Sequence, residues 1–585
     1  SNNSAEKSGV IASAPAELGK TNCVIKFESE GISVTGDGAK PAGNIVSITK
    51  SGVYELSGNT SDCKIEINAD KKAEITLLLN NVSLTSRSGS VIDCESAKTL
   101  TLYTKNGTKN SLSDTGNYTG AEDEADAAVF TRSDLLINGE GELTITGRYG
   151  DAVKCKDAVV IYNGALNIVS ADDGITGKDS VTVYGGTLSV NAGGDGIKST
   201  NSTDAGRGNI TIAGGELDIT SEKDGIQAEK VLTINGGKIA IKSGGDAADA
   251  DVTAQDSPWD FDRRGGFRDN QGAQVSQSAQ SSQSGDASSH KGLKAGGGIT
   301  ITSGDINIKA ADDSIHSNAD VEINGGTLTL SSCDDGVHAD ETLRITDGEV
   351  TITKSYEGLE GKCIEIDGGV ISVKAADDGL NAAGGDNGSY FGFGQASADY
   401  YISITGGTIT VDADGDGVDS NGTIAQSGGT VTVFGPTSSA NGALDYEMSY
   451  AMSGGTLMAF GAQGMAQTPS TLSQPCLSIS AQVSAGSTVE VREGSKVILS
   501  ATLTKAAQSL IFSCEEFEAG TDYDVYVDGS VITTITAADG VSGNGGIGGN
   551  GGFGGGHGGF NPGQGGFNPG QGGRPNSGRF PAVTM

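Results

Sequence analysis

Residues 171–192 read ADDGITGKDSVTVYGGTLSVNA. Ile175, Val181, Val183, Leu188 and Val190 are its apolar positions, and within each short run they alternate with polar residues, the period of a β-strand. Three turn signals separate the runs: Asp-Asp-Gly at 172–174, Gly-Lys-Asp at 177–179 and Gly-Gly at 185–186. Glycine at such places permits positive φ where the chain turns a corner. The unit is therefore two or three short strands joined by tight turns.

The same phrase returns as GGDGI at Asp195, KDGI at Asp224, ADDSI at Asp312, CDDGV at Asp334, YEGL at Glu357, ADDGL at Asp377 and GDGV at Asp416. Its apolar residue recurs in steps of 22 from Val153 to Ile175 to Ile197, and again from Leu293 to Ile315, Val337 and Leu359. The 29-residue step from Ile197 to Ile226 and the 38-residue step from Leu380 to Val418 mark loops near Thr200–Arg207 and Gly384–Asp399. A repeat of this length means a solenoid whose units pack on their neighbours. The expected fold is all-β, a right-handed parallel β-helix with 22 residues per coil.

Around this body the sequence divides into a tether (1–20), a cap and first coils with blurred period (21–127), regular coils (128–476), a C-terminal β cap (477–540) and a Gly-rich tail (541–585) expected to be disordered. A Ser/Gln-rich insertion at about 246–290 cannot bury a core and is expected to be largely disordered. It carries Trp259, Arg263, Arg264 and Arg268, which suit either a carbohydrate-stacking lid or a plain loop.

The net charge of −36 argues against nucleic acid and anionic membrane, and makes cations the natural partners. The eight cysteines show no CxxC spacing, so zinc and thioredoxin-type motifs are not indicated. No apolar run has the length of a membrane helix. The polar start at Ser1 reads as the tether of an exported lipoprotein whose lipidated Cys precedes it, which places the protein at a bacterial cell surface with membrane contact only through that anchor. A monomer is expected.

In a parallel β-helix, equivalent residues stack about 4.8 Å apart. Asp151, Asp173, Asp195, Asp224, Asp313, Asp335, Glu357, Asp378 and Asp416 then form one ladder, interrupted by Lys291, with Asp172, Asp312, Asp334 and Asp377 beside it. Close carboxylates repel by several kcal/mol unless they protonate or share a cation. Oxygen-only ligands on flexible turns suit Ca²⁺ better than Mg²⁺ or Zn²⁺. Asp-Gly is also ordinary turn chemistry, which the doubled Asp-Asp exceeds. One residue beyond the inward Ile or Val comes an outward series: Lys154, Thr176, Lys198, Gln227, Lys294, His316, His338, Glu360, Asn381 and Asp419. Of these, Lys198, Lys294, His316, His338, Glu360 and Asn381, with Glu357 of the ladder, are candidate carbohydrate contacts; an ordinary solvated face is the alternative.

The words DLLINGEGELTITG, DDGITGKDSVTVYGGTL, GGDGIKST, KDGIQAE, KGLKAGGGITITSG, DDSIHSNADVEINGGTLTL, DDGVHADETLRITDGEVTITKSYEGLEGK and DDGLNAAGG, within roughly Val53 to Gly455, resemble the calcium-binding parallel β-helix carbohydrate-binding family first described in cellulolytic clostridia, whose fold is similar to pectate-lyase β-helices. The resemblance implies a secreted or surface-anchored protein with several calcium ions that binds acidic plant cell-wall sugars such as polygalacturonate, and cellulose, without cleavage. By position it makes Asp172, Asp173, Asp195, Asp224, Asp312, Asp313, Asp334, Asp335, Asp377 and Asp378 the calcium carboxylates. Ser314 departs from the pattern, standing where the other phrases have Gly.

Two further functions stay open at this level. A calcium-dependent pectate lyase would use an unprotonated Lys154, Lys198 or Lys294 as base, although neighbouring carboxylates favour the charged lysine. A structural adhesin would use calcium only to stiffen a stalk.

Overall fold

Val, Ile and Leu at alternate positions, separated by Asp-Gly and Gly-Gly corners, wind the chain into three stacks of parallel strands. The computed structural model describes residues 18–29, 31–118, 125–252, 289–383 and 396–544. One stack runs through Ile175–Gly177, Ile197–Ser199, Ile226–Ala228, Leu293–Ala295 and Ile315–Ser317. A second runs through Ser180–Val183, Asn209–Ile212, Leu232–Ile234 and Ile299–Ile301. The third runs through Thr187–Ala192, Glu216–Ser221, Lys238–Ser243 and Asp305–Ala310. The fold is a parallel β-helix, three strands to the coil.

Register follows the sequence period. Val153 pairs with Ile175, and the same column continues through Ile197, Ile226, Leu293, Ile315, Val337, Leu359, Leu380 and Val418. Long insertions leave it untouched, because they leave from corners: Ile226 and Leu293 are direct partners although the Ser/Gln-rich segment lies between them in sequence. That segment's Trp259 and its arginines lie outside the described residues, as does most of the Gly-rich tail. These columns of aliphatic side chains form one continuous buried core.

The corner glycines do two different jobs. The second glycine of Gly-Gly takes positive φ, 90° at Gly186, 102° at Gly237 and 85° at Gly407, as the sequence led one to expect. The glycine of Asp-Asp-Gly does not, so the expectation of positive φ is corrected there. What it needs, like Gly292 at the equivalent Lys-Gly corner, is close approach. A Cβ on Gly292 would lie 2.3 Å from Ile308 Cγ2 and 2.5 Å from the Ser314 carbonyl oxygen, and one on Gly379 would lie 2.2 Å from Val411 Cγ1. In each of these coils the corner faces a β-branched core residue. Ser314 is the exception, and the register partner of Ile308 in its coil is Leu330, which carries no branch at Cβ.

Both ends are closed. Thr21–Glu28 lies parallel on Gly52–Thr60 and forms a hairpin with Gly31–Gly36. At the far end Ala507–Ser513 pairs antiparallel with the last-coil strand Thr456–Gly461. A four-stranded antiparallel sheet follows, built from Thr488–Glu493, Lys496–Thr502, Asp522–Val527 and Ser530–Thr536, with its own apolar core. Val541–Gly543, placed with the tail on sequence, forms a further strand against Cys476–Val483.

Candidate functional site

The Asp-Gly corners stack in one column. The Gly174 N–H donates to the Asp195 carbonyl at 2.8 Å, Gly196 to Asp224, Gly292 to Asp313, Gly336 to Glu357, Gly358 to Asp378 and Gly379 to Asp416, each at 2.9 Å. Lys291 occupies the step between Asp224 and Asp313. The side chains add a second ladder. Asp151 Oδ1 accepts from the Asp173 N–H at 3.2 Å, Asp173 Oδ1 from Asp195 at 2.8 Å, Asp195 Oδ1 from Asp224 at 3.0 Å and Asp313 Oδ1 from Asp335 at 3.0 Å. Asp378 Oδ1 does the same for Asp416 at 2.6 Å. One oxygen of each such carboxylate therefore ties coil to coil, a structural reason for Asp that needs no metal. The other oxygen is left to find a partner.

Over the first part of the column that partner is a basic side chain folded back onto the ladder, from three residues on or from a neighbouring coil. Lys198 Nζ stands 2.6 Å from Asp195 Oδ2 and 3.5 Å from Asp173 Oδ2. Lys294 lies 3.4 Å from Asp224, and Lys154 2.7 Å from Asp126 and 3.7 Å from Asp151. Lys291 Nζ bridges Asp312 at 2.9 Å and Asp313 at 2.6 Å. Burial opposes it, but Lys291 and His316 hold the Asp313 carboxyl well below the usual carboxylate range. Lys223 approaches Asp172 at 3.9 Å. His316 Nδ1 meets Asp313 Oδ2 at 2.8 Å and its ring stacks on His338 with centroids 4.8 Å apart. Histidines 22 residues apart are therefore neighbours.

Beyond His338 the basic partners stop. Among the described residues, no lysine, arginine or histidine forms a salt bridge with Glu357, Asp377, Asp378, Asp416, Asp419 or Asp445. Burial, then Glu357 and Asp416, push the Asp378 carboxyl far above its ordinary range; burial, then Asp416 and Asp445, do the same to Asp419. Burial raises Asp416 to about 7. Asn381 is only 7 % exposed, donating from Nδ2 to Glu357 Oε2 at 2.8 Å while its Oδ1 has no partner among the described residues. In register it lies between Glu360 and Asp419. Next to this group, Gly415 leaves open a space in which a Cβ would lie 2.3 Å from Asp377 Oδ1 and 2.5 Å from Asp378 Oδ1. Gly194 holds the same place beside Asp172 and Asp173. The ligand types at Glu357, Asp378, Asn381, Asp416 and Asp419 are those of a hard cation, carboxylate and amide oxygen, but register alone groups them; among the described residues the oxygen-only carboxylates that approach within 4.8 Å of one another are Asp312, Asp313 and Asp334.

A family model described as carbohydrate-binding domain-containing protein matches residues 42–336 and 330–555, most of the chain. The chain belongs to this carbohydrate-binding domain family. Within it, a carbohydrate-binding domain-containing protein of Acetivibrio thermocellus is 27% identical over 164 residues, covering 27% of this chain and 57% of the relative. The chain thus spans little more than half the length of that relative. A solved structure, titled the polysaccharide lyase-like protein from C. thermocellum in a gadolinium derivative, is 28% identical, with 38% of this chain and 92% of that one covered and a TM-score of 0.37.

For this carbohydrate-binding domain protein, the ten carboxylates singled out on sequence divide in two. Asp172, Asp173, Asp195, Asp224, Asp312, Asp313 and Asp335 have a Lys or His within 4 Å. Asp334, Asp377 and Asp378 have no such partner among the described residues. The proposed sugar-facing series is not one open face: Thr176, Gln227 and Asn381 are buried. Lys198, Lys294, His316, His338 and Glu360 are half-buried and lean on the ladder. The physical reason is the corner itself, which brings residues three apart onto the same side. Asp445 was not singled out on sequence, and Asp419 was named there only as the outward position after Val418, where an acid rather than Lys or His was the available signal.

Proposed function

We propose that the protein is a non-catalytic polysaccharide-binding protein of a bacterial cell surface, in which lysines neutralise the first part of the corner ladder and calcium neutralises the last part. The observation that supports the calcium reading is the run of carboxylates at Glu357, Asp378, Asp416 and Asp419, next in register to the Asn381 carbonyl, that meet no basic side chain among the described residues. These residues fit calcium, whose ligands are carboxylates and amide carbonyls in adaptable geometry. When bound, calcium supplies the positive charge that Lys291, Lys198 and Lys294 supply upstream. Polysaccharide then lies along the column, where hydroxyl and carboxylate groups of a sugar chain meet Lys198, Lys294, His316 and Glu360; polygalacturonate and cellulose are the candidate ligands. Lyase chemistry has less support. Lys154, Lys198 and Lys294 all face carboxylates, and against its burial Asp151 and Asp126 raise the Lys154 ammonium, the wrong direction for a neutral base.

The test is retention of the protein on polygalacturonate and on cellulose, with calcium and with chelator, while ultraviolet absorbance follows unsaturated product. Calcium-dependent retention without product is expected. Product formation abolished by Lys198→Ala or Lys294→Ala would establish the lyase instead, and calcium-dependent melting without retention would leave a stiffened stalk.

A further inference from the structure

The first cation-poor step of the column contains a nitrogen. His338 Nδ1 lies 3.0 Å from Asp335 Oδ2 and 2.5 Å from Glu360 Oε2, and its Nε2 lies 3.1 Å from Asp340 Oδ1. One ligand atom from each of Asp335, His338 and Glu360 falls within 4.8 Å of the others. Ligands at about 2.1 Å from a small divalent ion are about 3 Å apart along the edge of an octahedron and slightly more in a tetrahedron, so these separations need little adjustment. A surface cavity of about 180 Å³ opens against the group, lined by His338, Asp340, Glu360 and Lys362 among others. It has room for several waters at about 30 Å³ each.

We infer that Asp335, His338 and Glu360 form a site for a single imidazole-accepting divalent metal of the zinc and cobalt class, separate in chemistry from the oxygen-only group around Asn381. Three features carry it. The ligand types are one imidazole and two carboxylates, a set that Zn²⁺, Co²⁺ and Ni²⁺ accept and that calcium, an oxygen-seeking ion, does not prefer. His338 is fixed from two sides: Asp340 receives Nε2–H at one end, the orienting contact that metal-binding imidazoles usually have, and His316 stacks on its face. The three protein ligands leave the remaining positions to solvent on the cavity side. On binding, the metal takes the place of the Nδ1 proton, which leaves to water, and the dication replaces the imidazolium as counter-charge to Asp335 and Glu360. The site does not depend on the calcium reading, because its ligands come from Asp335, His338 and Glu360 whereas that reading rests on Glu357, Asn381, Asp378, Asp416 and Asp419.

The experiment uses the full chain, stripped with chelator and titrated with Co²⁺ in the presence of millimolar Ca²⁺, visible absorption reporting coordination and calorimetry with Zn²⁺ reporting stoichiometry. One equivalent of Co²⁺ with a ligand-field band, displaced by Zn²⁺ and not by Ca²⁺, is expected. His338→Ala and Glu360→Gln should each weaken uptake at least tenfold while leaving calcium-dependent melting unchanged; the two variants together guard against a folding defect in one. Uptake unaltered in both variants, or Co²⁺ displaced by equimolar Ca²⁺, would overturn the assignment. Loss of calcium-dependent melting in wild-type protein with cobalt binding intact would remove the calcium reading alone.

Discussion

A carboxylate at an Asp-Gly corner has two oxygens with separate duties, and the outward residues three places on, in its own coil and the next, decide the fate of the second. Where the outward residue is Lys198, the pair is closed at 2.6 Å; where it is Asn381 or Asp419, no basic side chain among the described residues arrives. The pH response should therefore differ along the column. Asp151 and Asp416 are raised to about 7, chiefly by burial, above the roughly 4 of an unfolded Asp. Their native forms hold protons more tightly, so the stability they contribute is complete below about pH 4 and is lost as pH rises through 7, each tenfold difference in proton affinity being worth about 1.4 kcal/mol. Asp313, held low by Lys291 and His316, works oppositely: its contribution is present above about pH 4 and is lost as the medium becomes more acidic. Chelator-treated protein should melt higher at pH 5.5 than at pH 8, and calcium should raise the melting temperature at pH 8 but little at pH 5.5. Scanning calorimetry at the two pH values checks both. Asp378→Asn and Asp419→Asn should each weaken the calcium response by about tenfold, about 1.4 kcal/mol, whereas Asp195→Asn, whose charge is already met by Lys198, should leave it intact and cost stability by leaving the lysine only its longer contact with Asp173.

At the scale of the coil, the pairing of corner glycine with a β-branched core residue is a packing rule that the sequence does not display. Period, strands and the interruption at Lys291 were legible because alternation and spacing are one-dimensional. The corner glycine reads as a matter of backbone conformation, since nothing local distinguishes a glycine required for φ from one required for approach; only the position of Ile308 or Val411 across the coil does. The fold-back of Lys and His onto the ladder was hidden for the same reason, because it depends on the direction the chain takes after the turn. Ser314 and Leu330 supply the test. Leu330→Ile should place a Cγ2 against the Ser314 side chain and destabilise by about 1–3 kcal/mol, the range for overpacking. In a Ser314→Gly background the same substitution should be close to neutral, giving a coupling energy above about 1 kcal/mol in a denaturant double-mutant cycle. Additive effects would show that the two residues do not share the space. Gly379→Ala, which would put a Cβ 2.2 Å from Val411 Cγ1 and 2.5 Å from the Gly417 carbonyl oxygen, has no such relief and should cost more.

Over the whole molecule, a column of coils that each contact only their neighbours depends on its ends. An open last coil would present the unpaired edge of Thr456–Gly461 and the apolar side chains Phe434, Met458 and Phe460, a template for pairing with another copy. The C-terminal segment prevents this in a specific way: Ala507–Ser513 reverses direction and pairs antiparallel with that strand, Phe512 meets Phe460 edge-on at 5.6 Å between centroids, and Phe460 stacks on Phe434 at 5.7 Å. Reversal matters because the antiparallel strand covers the edge of the last coil and joins Phe434, Met458 and Phe460 to the separate apolar core of the C-terminal segment. The sequence disclosed that the repeat stops near residue 476 and that strands follow, but the reversal lies in register rather than in composition. Ending the chain after residue 474 should therefore leave the coils folded, since their contacts are to one another, yet make them associate. Size-exclusion chromatography with light scattering should show concentration-dependent oligomers for the truncated chain and not for the complete one, with the far-ultraviolet strand signal of the coils retained. Phe512→Ala should act as a partial version, loosening the junction so that amide exchange rises first in Thr456–Gly461 and Ala507–Ser513 while the coils around Ile175 and Ile197 stay protected. A truncated chain that remained monomeric would show that the final coil closes itself, and the cap would then have to be explained by something other than edge protection.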